Sequence, residues 1–293
     1  MTASPVLSLE PRRARADRTA DRWVTVTAIA IAAGYLVAGG ASTLLPADVR
    51  GGTWLPLHLA LAGAALTAIG GVMPFFTAAL GAAPPADRRL RWTVVGLLAG
   101  GVGVVVVART LGQPGAAAFG GGLVVVGLVG LFAAAFGPLR RSLAPRRPFI
   151  AAAYAAAIVE VAVGISIAVA DLAGDETVAR DWPLLKPAHA WLNVMGFVSL
   201  VIAATLVHFL PTIAGTRIVR RRALDVALVA LAVGPALVAL GFGSGGDPAV
   251  RAGAVVELAG AAALLTGAAG IVRARGAWTT DAGWHRFTLG SLL

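Results

Sequence analysis

The sequence predicts an all-α protein, a polytopic transmembrane bundle of about eight helices. Three observations carry this. The 293 residues are 58% hydrophobic and 13% charged, with mean hydropathy +0.84, whereas soluble domains carry about 25% charged residues. The apolar residues gather into runs long enough to cross ~30 Å of hydrocarbon, which takes about twenty residues of helix. The runs are also continuous, where barrel strands would alternate over segments of about ten.

Taken in order, the first run, 23–45, follows a basic arm (1–22) and lacks a small-residue cleavage site, so it reads as a retained helix and not a signal peptide. The second, 54–82, opens with Leu55-Pro56-Leu57-His58-Leu59 and closes with Met73-Pro74-Phe75-Phe76. The third, 91–111, holds Gly96 and Gly100, a small-xxx-small pair expected to admit a neighbouring helix; Gly120, Gly121 and Gly122 enter the fourth, 115–137. The fifth, 149–171, carries Glu160. The sixth, 187–213, opens with Lys186-Pro187-Ala188-His189-Ala190-Trp191-Leu192-Asn193 and closes with His208-Phe209-Leu210-Pro211. The seventh is 223–243, and the eighth, 252–273, carries Glu257. Within the tail, 274–293, Leu289–Leu293 reads like the start of a ninth span.

Charge predicts orientation. Of the 24 Lys and Arg, 19 fall in the N-terminal arm, in the connections after spans 2, 4 and 6, and from Arg273 onward. The positive-inside rule puts that side, with both termini, in the cytoplasm. The net charge of +10 is thereby explained by topology and anionic lipid headgroups, not nucleic acid. Six of the seven tryptophans lie at or beyond span ends, as an interfacial belt requires. With no Cys, thiolate ligands and thiol chemistry are excluded. No HExxH, phosphate loop or nucleophile elbow is present.

Spans 1–4 and 5–8 start from the same side, so a repeat of 23–137 in 149–273 would be parallel, with its two-fold axis along the membrane normal. The two Pro-x-His openings, one in each half, are its main sequence trace. His58, His189 and Glu257 are expected in the outer third of the bilayer and Glu160 near the midplane. His208 lies about 28 Å deeper than His189, too far to share its site.

Ionisable residues inside a bilayer are costly and usually partnered. Two facing imidazoles are a ready pair of axial ligands for haem iron, and imidazole also suits copper. Asn193, at i+4 from His189, shares its helix face. Glu257 is a candidate to orient a ligating histidine by accepting its free N–H. Gly196, at i+7, would leave room for a flat ligand or a close helix. Each histidine has an alternative as an interfacial side chain bonded to water or a carbonyl. Glu160 reads either as a neutral acid tying two helices or as a proton carrier, and Arg109 as a snorkelling side chain.

The stretch from Pro187 to Pro211 resembles a segment of membrane proteins related to subunit I of haem–copper oxidases. The matching residues are His189-Ala190-Trp191-Leu192-Asn193, Gly196 and His208-Phe209-Leu210-Pro211; Trp191 stands where those proteins have a second histidine. The pattern is also similar to NnrS-type haem/copper membrane proteins. The openings at His58 and His189 and the ending from Trp278 to Phe287 are similar to membrane regions of actinobacterial copper oxidases. The resemblance implies haem b or copper held by His58 and His189, for electron transfer, sensing or metal handling, with a redox or membrane-protein partner. The rival expectations are a proton- or cation-coupled transporter using Glu160 and Glu257, and a structural membrane subunit.

Overall fold

The computed structural model describes residues 10–140, 148–216 and 221–274. His285, the Trp278–Phe287 stretch and the ninth-span start at Leu289 lie outside the described residues. Among those described there is no strand. Eight helices are long and apolar enough to cross a membrane: Arg22–Ser42, Trp54–Leu80, Arg88–Thr110, Pro114–Arg140, Pro148–Leu172, Glu176–Ala214, Arg222–Ser244 and Asp247–Ala274. They are called the first to eighth helices below. The chain is a multi-pass membrane protein, and residues such as Phe119, Val129, Val255 and Leu258 present apolar side chains on its outside, as a lipid-facing surface requires.

Local chemistry sets the helix starts. Asp87 caps the third helix, its carboxylate accepting from the Arg89 and Leu90 N–H groups at 2.8 and 3.3 Å. Asp175 caps the sixth in the same way, accepting from Thr177 and Val178 at 3.0 Å each. With that cap the sixth helix starts at Glu176, three turns ahead of the hydropathy run that begins at 187. The charged turns at 176–186 are therefore helical, and Pro183 and Pro187 lie inside the helix.

Two segments depart from α geometry, and nothing in the sequence pattern announced them. The second helix is a π-helix over His58–Ala65, and the sixth over Leu192–Ser199. Such wide turns are rare and often sit at functional sites. Both lie beside a candidate histidine.

Helix backbones also pack directly on each other, and one such glycine crossing recurs in each half. Gly101 and Gly120, on the third and fourth helices, cross so closely that a Cβ on either would lie 2.8 Å from the other's carbonyl oxygen. Gly234 and Gly253 cross the same way in the seventh and eighth helices, where a Cβ on Gly253 would meet Gly234 O at 2.7 Å. Gly127 packs on Leu97 and Leu98, and Gly260 packs on Ala230 and Leu231. The hairpin turns match as well, at Gly112 (φ +69°) and Gly245 (φ +67°). One constant offset along the chain carries Gly101 to Gly234, Gly112 to Gly245, Gly120 to Gly253 and Gly127 to Gly260. The same offset carries His58 to Trp191, not to His189. The two histidines therefore occupy different helical registers.

The small-residue pair in the third helix does not make the close contact expected of it. Gly96 and Gly100 face open space, and Gly101 makes the close crossing instead. The second and sixth helices meet in the middle of the molecule. At one end His58 and His189 stack 6.4 Å apart, and at the other Phe76 and Phe209 pack at 4.8 Å.

Gly253→Ala places a methyl group against immovable backbone, so it is expected to destabilise the bundle by about 1–3 kcal/mol. Gly96→Ala meets nothing within 4 Å and should leave stability unchanged. Thermal unfolding of the two variants in detergent checks the contrast; equal melting would contradict the crossing.

Candidate functional site

His58 and His189 come from opposite halves of the chain, yet their rings lie 6.4 Å apart and within 15° of parallel. Each ring is held by a backbone carbonyl. His58 Nδ1 is 2.8 Å from Trp54 O, and His189 Nδ1 is 2.7 Å from Gly164 O. A carbonyl can only accept, so Nδ1 carries the proton in each ring and Nε2 keeps a lone pair. This is the arrangement in which a metal-binding imidazole is usually presented. Two imidazoles sharing one metal at ~2.0–2.1 Å would have ring centres roughly 6–6.5 Å apart, a span the observed separation matches.

The surroundings are aromatic and positive. Trp54 supplies the carbonyl and also stacks its indole on His58 at 4.4 Å, while Trp182 lies 6.3 Å from His189. Arg109, in the last turn of the third helix, and Lys186, one turn before His189, lie within electrostatic range of His58. Asn193 stands where its i+4 spacing from His189 puts it, its amide nitrogen 3.1 Å from Nδ1 and 3.3 Å from Nε2. With Nδ1 occupied by Gly164 O, the amide donates to Nε2, so it must turn aside for any ligand there.

The carboxyl groups are placed differently from expectation. Glu257 was expected to receive a histidine N–H, but both N–H groups go to carbonyls. Glu257 lies instead against Gly234, where a Cβ would come within 2.6 Å of its Oε2. The space beside Gly196, expected for a flat ligand or a close helix, admits the fifth helix, whose Glu160 carboxyl fills it. Glu160 and Glu257 are buried, and Oε2 of each has no hydrogen-bond partner. Glu257 lies within electrostatic range of Glu160. His208 is at the far end of its helix, edge-on to Phe209 at 4.4 Å, and does not join the pair.

The sequence pattern gave no role to Lys186 or the Gly164 carbonyl, set Trp54 only in the interfacial belt, and gave Arg109 only a snorkelling role. Trp54 was findable, because it sits at i−4 from His58. Gly164 was not, because a carbonyl on a different helix leaves no residue-type signal. No protein-family model matches this chain, and no curated protein matches it.

The Glu160–Gly196 contact can be measured directly. Gly196→Ala should destabilise the protein because the methyl group overlaps the carboxyl, and Glu160→Ala should relieve the overlap. A double-mutant cycle is expected to return a coupling of about 0.5–3 kcal/mol. Additive effects would mean the two positions do not touch.

Proposed function

We propose that this protein binds haem b through His58 and His189 as axial ligands, and that it serves electron transfer or redox sensing in a bacterial plasma membrane. The observation that carries the reading is the histidine pair. Two imidazoles from separate halves lie within 15° of parallel with ring centres 6.4 Å apart, a one-metal separation, each with Nδ1 tied to a carbonyl. Among the described residues no group of three His, Cys, Asp or Glu could hold a metal ion. A haem needs only two protein ligands because its porphyrin supplies the rest, whereas a bare copper ion would need more donors. The positive charges of Arg109 and Lys186 also favour a group with carboxylates, as haem propionates are, over a lone cation.

Bound haem would supply a reversible one-electron change at its iron. The chain's own residues do the rest. The Trp54 and Gly164 carbonyls fix each ring's tautomer and orientation; Asn193 would have to leave Nε2, and Arg109 and Lys186 would be the partners for carboxylates of the bound group. The arginine pattern puts this end of the bundle at the outer face, where a redox partner would meet it, while the arginine-rich end faces anionic lipid.

The test is an absorption spectrum of the purified protein, oxidised and dithionite-reduced, after expression with haem supplied. A Soret and α band present in the parent and lost in both His58→Ala and His189→Ala is the expected result. No chromophore in the parent sinks the haem reading, and elemental analysis for copper then decides the metal.

In haem titrations, Arg109→Ala and Lys186→Ala should each weaken binding by about 0.2–1 kcal/mol, the range for exposed charge pairs. Adding salt should shrink the difference. Affinity unmoved by either variant would remove the propionate assignment.

A further inference from the structure

The two halves of the molecule share glycine sockets but fill them with different chemistry. In the first half, Gly63 is covered by the Tyr35 ring and Gly101 by Val124. Their counterparts at the repeat offset, Gly196 and Gly234, are covered by the carboxyl groups of Glu160 and Glu257. Tyr35 satisfies its hydroxyl by donating to Ala99 O at 2.7 Å. The two glutamates do nothing comparable. Glu160 is 7% exposed and Glu257 4%, and Oε2 of each is buried without a hydrogen-bond partner. Asn193 adds a third buried oxygen, Oδ1, also without a donor. It packs over Gly164, one turn along the fifth helix from Glu160.

Three acceptor oxygens with no donor are an expensive arrangement in a bilayer, and an ionised carboxylate there is more expensive still. Oε2 of each acid meets no donor and no acceptor, so no neighbour holds a hydroxyl at that oxygen. Tyr154 and Asp171 share the helix of Glu160, Arg140 is on the fourth, Lys186, His189 and His208 are on the sixth, and Arg222 and Asp225 are on the seventh; the charge that acts on Glu160 is that of Glu257, on the eighth. Tyr154 is engaged with Thr205 at 2.9 Å. The group that completes the cluster is therefore a positive charge from solution.

We infer that Glu160 and Glu257, with Asn193 beside Glu160, form an ion-carrying site in the second four-helix set, loaded by an exchangeable cation: a proton or an alkali-metal ion. The site adjoins the histidine pair through Asn193, which also contacts His189, but loading of its carboxyl groups does not require haem. Its asymmetry is its signature, because the same sockets in the first half are closed by Tyr35 and Val124, which carry no carboxylate.

The test uses the full chain in lipid nanodiscs and follows the carbonyl stretch of protonated carboxyl groups by infrared difference spectroscopy. One series varies pH in choline chloride; the other replaces choline by Na+ at fixed pH and ionic strength. A band that disappears with rising pH identifies the proton, and one displaced by Na+ identifies the alkali ion; either supports the site. The band should fall in Glu160→Gln and in Glu257→Gln. A band indifferent to pH and Na+, no band under any condition, or one unchanged in both variants overturns the inference. Should either variant fail to fold, carbodiimide labelling of the parent replaces it, because the reagent attacks protonated buried carboxyls. Modification located at Glu160 or Glu257 by mass spectrometry, and suppressed several-fold by Na+ or by raised pH, supports the site. No modification at either, or modification indifferent to both conditions, overturns it. Both readouts work without haem, so their failure leaves the histidine reading standing.

Discussion

Backbone crossing at glycine is the contact on which the rest of this molecule depends. In lipid there is no hydrophobic drive between helices, so association comes from close packing and polar contacts. Gly101 against Gly120, and Gly234 against Gly253, bring helix backbones together where no side chain could fit. Each crossing locks a two-helix hairpin closed by a left-handed glycine turn. The third and fourth helices, and the seventh and eighth, are the most extensively packed pairs in the bundle. These hairpins flank the second and sixth helices and hold them where they meet. The helices that carry His58 and His189 thus each pack against a glycine-locked hairpin.

That dependence explains what could be read without a structure. Span existence was legible because twenty apolar residues have few alternatives to a transmembrane helix. Span ends were less so: the sixth helix begins three turns early because the single Asp175 side chain captures two N–H groups, and hydropathy cannot register a cap. The choice of Gly96 and Gly100 over Gly101 failed because spacing locates a small-residue stripe without saying which stripe meets a neighbour. The π turns escaped because their cause is tertiary. Each contains a glycine pressed by a side chain from another helix, Tyr35 on Gly63 and Glu160 on Gly196.

The candidate site shows the same division. The Pro-x-His openings picked out both histidines, and i+4 spacing placed Asn193 beside His189. Their partners were hidden because a carbonyl belongs to every residue alike. The histidines also reach each other by a route that repeat symmetry would not supply. His189 falls two positions short of Trp191, the residue equivalent to His58, and two positions turn a helix by about 200°. A strictly symmetric pair would have set His58 against Trp191. The register difference, together with the π turns beside both residues, marks this contact as one the fold departs from symmetry to make.

The carboxyl groups depart from symmetry in the opposite manner. There the glycine sockets keep their register and the side chains over them change: Glu257 stands at the position equivalent to Val124, while Glu160 covers Gly196 where Tyr35, from a position equivalent to Ala168, covers Gly63. A packing requirement alone is met equally well by the uncharged version, as the first half demonstrates within the same molecule. Two buried carboxyl groups cost more than the residues they parallel, and that cost is not offset by hydrogen bonds to Oε2 of either one. The first half therefore serves as an internal control for the second. Since the shared sockets account for the packing, the chemistry confined to one half requires a separate cause, and an exchangeable cation is the cause that matches three donorless oxygens.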